Sequence, residues 1–200
     1  MRNTLFIAFK SAMLSVLVFF QFNCTQQSEQ KVLSQDELIA RGKYIVTTGG
    51  CGDCHTPKIM TANGPMEDTT RTLSGFPQGA VLPPLDVKMV APGNWYTTEM
   101  NQAAWVGPWG ISYASNLTPD NETGMGGLSE EMFIKTLREG KYMGVGRPLL
   151  PPMPWPVIGQ KTDEDLKAIY AYLRTLKPIN NKVPEPVPPP KLAEYFAKKK

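Results

Sequence analysis

The feature that most limits how this chain can fold is the stretch of 73 residues from 56 to 128, which has no sustained hydrophobic period. It contains eight of the 19 prolines, three of the four tryptophans and many glycines. Compact domains rarely contain unpatterned stretches of this length, so the stretch argues against an ordinary helical or sheet core. A large, flat, apolar cofactor would allow such loops to bury Trp, Tyr and Met side chains without forming a sheet. The stretch therefore predicts long loops wrapped around a cofactor.

A short cysteine motif directly before this stretch indicates which cofactor it is. Cys51 and Cys54 are followed at once by His55, the only histidine of the chain. This C-x-x-C-H pattern is typical of covalent haem attachment. The two thiols add to the two vinyl groups on one porphyrin edge, and the next residue places an imidazole on the iron. Because the motif occurs once, the sequence predicts one covalently bound haem c.

Three other interpretations of the motif compete with haem attachment. A structural disulfide between Cys51 and Cys54 would close a very small loop and would leave His55 unexplained. A thioredoxin-like redox pair would need a βαβ context, which the surrounding sequence does not show. A zinc site normally has four ligands, and without Cys24 only three candidate ligands are available here. Haem attachment is the interpretation that uses all three residues at their observed spacing.

The N-terminus has the pattern of an exported protein. Arg2 and Lys10 precede a nearly all-apolar run over residues 11–20, which predicts a signal peptide over residues 1–23. Cys24 follows directly, and this arrangement resembles a bacterial lipoprotein site, although the small residue usual before the cysteine is missing. We expect lipidation of Cys24. Plain secretion with loss of Cys24 and an uncleaved anchor are the alternatives.

The predicted lipid places the chain on the periplasmic side of a bacterial membrane, with a soluble periplasmic protein as the alternative. Residues 24–33 are expected to form a polar tether between the lipid and the folded domain. Without residues 1–23 the chain has 19 basic and 18 acidic residues. With this balance, and without a basic stripe with interleaved aromatics, we expect no nucleic-acid partner. No apolar window is long enough for a polytopic membrane protein.

Helix signals occur at three places, and 200 residues predict one domain with extensions. Ser34 and Glu37 form a capping box before a helix over about 35–47, which leads into the cysteine motif. A second helix is predicted from Ser129 to Gly140, and a third begins after Thr162 and runs towards Pro178. The domain is predicted over 34–182. Residues 183–200 form a Pro-rich extension, with polyproline II up to Pro190 and then a short helix or a frayed end.

Four further sequence segments carry a family resemblance. They are Ser-Asn-Leu-Thr-Pro-Asp at 115–120, Glu-Thr-Gly at 122–124, Pro-Pro-Met-Pro-Trp at 151–155 and Thr-Asp-Glu-Asp-Leu at 162–166. Together with the C-x-x-C-H motif they make residues 35–185 similar to a class I cytochrome c. The similarity is closer to the single-haem units in cytochrome subunits of bacterial membrane dehydrogenases. The single haem and the expanded Trp-rich segment over 80–114 depart from that pattern.

The resemblance implies a mainly α, cytochrome c-like fold with few helices and long loops around one covalent haem. It also implies a second axial ligand, which with no other histidine falls to a methionine. Met153 lies 98 residues after His55, is flanked by prolines that fix its backbone, and occupies the position that the resemblance gives to the ligand. Met143 and an iron without a second protein ligand are the alternatives. The metal ligands predicted for the iron are therefore His55 and Met153.

Several weaker predictions concern the surroundings of the haem. Tyr113, Asn116 and Arg147 are candidates for holding a propionate, with ordinary loop hydrogen bonding as the alternative for each. Pro57 is expected to shape the loop that receives the second N–H of the imidazole. In the resembling family a glycine on the first helix allows the last helix to cross closely, and Gly42 is expected to face Ile169 or Tyr170.

These features predict an electron carrier and not an enzyme. The expected activity is single-electron transfer between periplasmic or membrane redox partners, such as a dehydrogenase or a terminal oxidase. The first alternative is the haem subunit of a dehydrogenase complex, in which the Trp-rich segment supplies a site or an interface. The second is a haem-based ligand sensor, in which Met153 leaves the iron and a gas enters.

Overall fold

The computed structural model describes residues 32–198, which form a mainly α structure. The predicted signal peptide, the lipidation site Cys24 and most of the predicted tether lie outside these residues. Within them, the helices are α1 (Gln35–Thr48), α2 (Cys51–His55), α3 (Glu130–Glu139), α4 (Trp155–Ile158), α5 (Asp163–Leu173) and α6 (Leu192–Ala197). The strands are β1 (Lys58–Thr61), β2 (Gly64–Glu67), β3 (Thr97–Thr98), β4 (Ala104–Gly107) and β5 (Gly110–Tyr113).

The three predicted helices are confirmed, and each begins at the expected cap. Ser34 and Glu37 form both hydrogen bonds of a capping box at α1. The hydroxyls of Ser129 and Thr162 accept hydrogen bonds from the backbone N–H three residues further on. Helix α5 ends at Leu173, earlier than Pro178 alone would predict, and Arg174 is its C-cap.

Helices α1 and α5 cross closely at Gly42. A Cβ on Gly42 would lie 1.8 Å from the backbone oxygen of Ala168 and 2.9 Å from Cβ of Tyr172. The predicted crossing is therefore confirmed, but its partners are Ala168 and Tyr172 and not Ile169 or Tyr170. The crossing helices and α3 enclose the first core cluster, whose buried members are Val46, Leu73, Met125, Leu128, Phe133, Leu137, Leu166, Ile169 and Leu173.

The expectation of loops without a sheet over 56–128 is wrong. Strands β1 and β2 form an antiparallel hairpin, and β3, β4 and β5 form a small antiparallel sheet in that order. These strands are too short for a periodic signal, and β4 and β5 are largely buried on both faces, so they show no alternation. The stretch also builds a second core cluster, formed by Phe76, Leu82, Val90, Ala103, Ala104, Val106, Ile111, Leu192 and Phe196.

The Pro-rich segment 183–200, predicted as an extension, is part of the fold as far as residue 198. Val187 pairs with Ile111 through two backbone hydrogen bonds of 2.8 and 3.1 Å. Helix α6, in agreement with the expected short helix, buries Leu192 and Phe196 in the second core cluster. The tail therefore supplies part of the core that buries the apolar side chains of the stretch 56–128. From the sequence alone, that burial was expected to come from the cofactor. None of the helices between residues 32 and 198 has the length and apolar character needed to cross a bilayer.

Candidate haem site

An open cavity lies where α2, β5 and the segment before α4 meet. Cys51, Cys54, His55 and Met153 all line it, together with mainly apolar atoms. Residues that lie 98 positions apart in the sequence are thus brought to one cavity.

The imidazole of His55 is fixed by a backbone carbonyl. Its Nδ1 lies 2.7 Å from the oxygen of Ser115, so the Nδ1–H of the neutral ring donates to that carbonyl. Burial lowers the pKa of His55, against a smaller raising effect of the Ser115 hydrogen bond. The ring is therefore neutral near pH 7 and carries its lone pair on Nε2, which is the form that binds a metal ion.

The acceptor at His55 corrects the prediction about Pro57. The acceptor of the imidazole N–H is the backbone oxygen of Ser115, which lies far along the chain from Pro57. Pro57 instead uses its carbonyl to accept a hydrogen bond from the N–H of Asp68 at 2.8 Å. The carbonyl of His55 accepts from Gly75, and the N–H of Phe76 donates to Ala114, so two neighbouring segments hold the helix end in place.

The two cysteines lie one turn apart on α2, three residues from each other, and so project from the same side of the helix. Both are free thiols, and the alternative of a structural disulfide is not what the structure shows. Burial raises the pKa of Cys51 and of Cys54, so both are neutral near pH 7. Among residues 32–198 no group of three or more His, Cys, Asp or Glu side chains is arranged to hold a metal ion, as a zinc site would require.

Met153 lies on a loop that is anchored to the rest of the site. The hydroxyl of Ser112, on β5, donates to the carbonyl of Pro151 at 2.6 Å. The N–H of Leu149 donates to the carbonyl of Gly140 at 2.7 Å, which ties the start of the loop to the end of α3. Met143 and Met153 both pack against the first core cluster, but Met143, the alternative axial ligand, does not line the cavity.

The three weaker site candidates have different positions. Tyr113 and Arg147 line the cavity. The Tyr113 hydroxyl donates to that of Tyr195 at 3.3 Å, and burial together with this neighbour raises the pKa of Tyr113. Arg147 also forms a long ion pair of 3.8 Å with Glu185, donates to the carbonyl of Pro148 at 3.3 Å and stacks its guanidinium over the ring of Tyr142.

Asn116 does not line the cavity, and the structure favours ordinary hydrogen bonding for it. Its amide group donates to the carbonyl of Ile179 at 2.8 Å, and its side-chain oxygen accepts from the N–H and the hydroxyl of Thr118. Asn116 thus ties the segment 115–120 to the chain that follows α5. The recurring motif at this position is explained by folding and not by contact with the cavity.

Sequence reasoning missed three contributors to the site. Ser115 acts through its backbone carbonyl, which its side chain does not reveal. Trp105 lines the cavity and lies against Cys54, but in the sequence it is one of several tryptophans without an assigned role. Pro186 lines the cavity from the tail, which the sequence analysis placed outside the domain.

The residues at the cavity fit a covalently attached haem. Two neutral thiols lie on one helix, a neutral imidazole presents Nε2, and a thioether is available from a second segment. The remaining lining is largely apolar, which suits a flat macrocycle, while Arg147 and Tyr113 supply polar groups for carboxylates. Imidazole and thioether groups are donors that proteins use for haem iron, and cysteine thiols attach haem c covalently.

Comparison with known proteins agrees with this geometry. The family model for cytochrome c matches residues 39–177. The gluconate 2-dehydrogenase cytochrome c subunit of Pantoea cypripedii is 31% identical over 70% of this chain and 23% of its own length. The fructose dehydrogenase cytochrome subunit of Gluconobacter japonicus is 30% identical over 74% of this chain and 23% of its own length. A nicotinate dehydrogenase subunit from Pseudomonas putida is 39% identical over 74% of this chain and 9% of its own length.

The chain therefore corresponds to less than a quarter of the length of these three relatives. The family match nevertheless covers more than half of the chain and contains the two thiols, His55 and Met153. The cofactor of this family is a haem c attached through two cysteines, in agreement with the donor set at the cavity. This chain belongs to the cytochrome c family, whose members are electron-transferring haem proteins.

Proposed function

We propose that this protein is an exported electron carrier with one haem c, attached through Cys51 and Cys54 and ligated by His55 and Met153. The observation that carries the proposal is the single cavity that all four residues line. The bound haem would supply reversible one-electron chemistry at its iron. Because the sequence contains one attachment motif, we propose a single haem for the chain.

The protein residues would orient the ligands and exclude water. The carbonyl of Ser115 keeps the proton on Nδ1 of His55, so that Nε2 would be a neutral donor to the haem iron. Ser112 and the prolines around Met153 limit the movement of the thioether. A soft thioether ligand favours ferrous iron, which raises the reduction potential relative to a second imidazole. This property suits a carrier that accepts electrons from a dehydrogenase.

We also propose that the chain is exported and attached to the periplasmic side of a bacterial membrane through a lipid on Cys24. The basic start, the apolar run and the cysteine that follows support this proposal. Replacing Cys24 with Ser should release the haem protein from the membrane fraction into the soluble periplasm. Continued sedimentation of the variant with membranes would contradict lipid anchoring.

The proposed partners are redox proteins, among them a membrane or periplasmic dehydrogenase or a terminal oxidase. Because relatives include cytochrome c subunits of dehydrogenases, a haem subunit of such a complex is the second candidate function. Co-purification from the native membrane distinguishes the two. A carrier separates from the dehydrogenase at physiological salt, whereas a subunit remains in a stable complex with it.

The visible spectrum of protein matured in an exporting host tests the haem proposal. A c-type α-band that survives acid-acetone extraction would establish covalent attachment. The far-red sulfur-to-iron band of the oxidised protein should disappear in Met153→Ala and persist in the matched control Met143→Ala. Retention of this band in Met153→Ala would contradict the proposed ligand. Binding of carbon monoxide by the reduced wild type at neutral pH would favour a ligand sensor.

A further inference from the structure

The loop that carries Met153 is joined to the opposite wall of the cavity at Ser112. Pro151 and Pro152 have no N–H group, so this part of the loop can be held by hydrogen bonds mainly through its carbonyls. The hydroxyl of Ser112 donates to the carbonyl of Pro151 at 2.6 Å. Within residues 32–198, no other hydrogen bond joins the segment 150–153 to a residue outside it. The polar attachment of this segment is therefore through Ser112.

Ser112 has a fixed place on β5. It is 9% exposed and lines the cavity. Its neighbour Ile111 is fully buried in the second core cluster. Because successive side chains of a strand point to opposite faces, the strand presents one of these residues to the core and the next to the cavity. A shift of β5 would therefore move the Ser112 hydroxyl relative to the methionine loop.

The C-terminal segment contacts β5 on both sides of Ser112. The backbone groups of Ile111 and Val187 exchange two hydrogen bonds, of 2.8 and 3.1 Å. The hydroxyl of Tyr113 donates to that of Tyr195 on α6 at 3.3 Å. Both partners lie beyond residues 39–177, which the family model matches. The strand that carries Ser112 is thus held by a part of the chain outside that match.

The contact between the C-terminal segment and β5 is a close backbone contact. A Cβ on Gly110 would collide with the backbone oxygen of Val187. Pro186 lines the cavity directly beside this contact. The preceding Glu185 reaches Arg147 only at 3.8 Å and is exposed, and ion pairs of this kind contribute little. The backbone pairing at Val187 is therefore the contact that matters for the position of β5.

We propose that Ser112 is a positioning residue for the axial ligand Met153, and that the C-terminal segment acts through β5 to keep Ser112 in place. This role rests on the proposed function, because it requires Met153 at the haem iron. An external ligand can bind the iron only in the fraction of molecules whose thioether has moved away. Loss of the Ser112 hydrogen bond increases that fraction, so the apparent affinity for the external ligand rises.

Imidazole is the probe, because its binding to ferric haem displaces a methionine and removes the far-red sulfur-to-iron band. In fully oxidised, haem-loaded protein, Ser112→Ala should raise the apparent affinity for imidazole about fivefold, the factor for one neutral hydrogen bond. Ser112→Thr should restore the wild-type affinity, since it keeps the hydroxyl. The control Thr162→Ala removes a hydroxyl that caps α5 and does not line the cavity, and should leave the affinity unchanged.

Replacing the backbone donor at Val187 tests the contribution of the C-terminal segment. Val187→Pro removes the N–H that donates to Ile111 and keeps an apolar side chain, so the affinity for imidazole should rise about threefold. Val183→Pro is the matched control. Val183 also packs against the second core cluster and also precedes a proline, but its N–H donates to no group in the described range 32–198.

A double variant shows whether the C-terminal segment acts through Ser112. In the Ser112→Ala background, Val187→Pro should have little further effect, because both changes release the same loop. If Val187→Pro gives no folded haem protein, Tyr195→Phe provides the same test at the Tyr113 contact. It removes a single hydroxyl and should raise the affinity for imidazole in the same direction.

The outcomes distinguish this role from the proposed function. A wild-type ferric protein without the far-red band would overturn both, because Met153 would not be the ligand. With the band present, equal imidazole affinity in Ser112→Ala and wild type would overturn the positioning role alone. An equal rise in Val183→Pro and Val187→Pro would overturn the part of the C-terminal segment. The same conclusion would follow if Val187→Pro had its full effect without the Ser112 hydroxyl.

Discussion

The two core clusters are built from different kinds of sequence. The first consists mainly of side chains from three capped helices, and the family model covers all of it. The second joins short segments between residues 76 and 111 to α6, and its last two members, Leu192 and Phe196, lie beyond the family match. The cavity lies between them, since α2 and Met153 belong to the side of the first cluster and Tyr113 to the side of the second. The helices of the first cluster therefore lie within the family match, whereas the second cluster also uses residues beyond its end.

The largest expected effect tests the helix crossing in the first cluster. Gly42→Val places side-chain atoms against the backbone oxygen of Ala168, which has no rotamer by which to move away. We expect the free energy of unfolding to fall by more than about 3 kcal/mol, at the upper end of the range for overpacking. Denaturant titration of the haem-loaded protein measures the change, and the haem spectrum should stay that of the wild type.

Gly127→Ala is the matched control for Gly42→Val, because a Cβ at Gly127 would meet no atom within 4 Å. Its effect should stay within about 0.5 kcal/mol. An unchanged melting temperature in Gly42→Val would mean that α1 and α5 do not approach each other as described.

The second prediction asks whether the second cluster is a core of the whole domain. Phe196→Ala removes a ring that is 5% exposed and should lower the free energy of unfolding by about 3 kcal/mol if the cluster unfolds together with the helices. Tyr44→Ala, at an exposed aromatic residue, is the control. If tryptophan fluorescence in Phe196→Ala shows an earlier unfolding transition than haem absorbance, the tail unfolds locally and not together with the helices.

The third prediction concerns the buried amide that links the two clusters. The Asn181 side chain donates to the carbonyls of Ser74 and Phe76 at 2.7 and 2.9 Å and accepts from the N–H of Gln78 at 2.7 Å. Asn181→Ala leaves these buried groups without a partner and should cost about 2 kcal/mol. Asn180→Ala removes an exposed neighbour of the same type and should stay within about 0.5 kcal/mol.

If Asn181 connects the clusters energetically, its effect depends on the second cluster being folded. The double variant Asn181→Ala with Phe196→Ala should therefore lose less stability than the sum of the two single variants. Strict additivity in denaturant titrations would show that the amide stabilises only its own loop.

The contrast between the clusters also explains which features the sequence could predict. Helix α1 and the cysteine motif were predictable because a capping box and a C-x-x-C-H pattern are local and depend on side-chain identity. The inclusion of Phe76 and Phe196 in one core cluster was not, because residues 76 and 196 are 120 positions apart and neither segment has a hydrophobic period. The acceptor for His55 was also hidden, since every residue has a backbone carbonyl and only the tertiary fold selects that of Ser115.

The smallest expected effect tests whether a helix cap in the first cluster acts only locally. The hydroxyl of Thr162 accepts a hydrogen bond of 3.1 Å from the N–H of Asp165, and three acidic residues occupy the first turn of α5. Thr162→Ala should lower the free energy of unfolding by about 1 kcal/mol. Thr162→Ser should retain most of the stability of the wild type, because serine is also a good N-cap residue. The acidic residues still interact favourably with the helix dipole in both variants, so the helix itself should persist. Parallel denaturant titrations measure the two changes, and a loss in Thr162→Ala as large as that in Gly42→Val would show that the helix end controls the crossing.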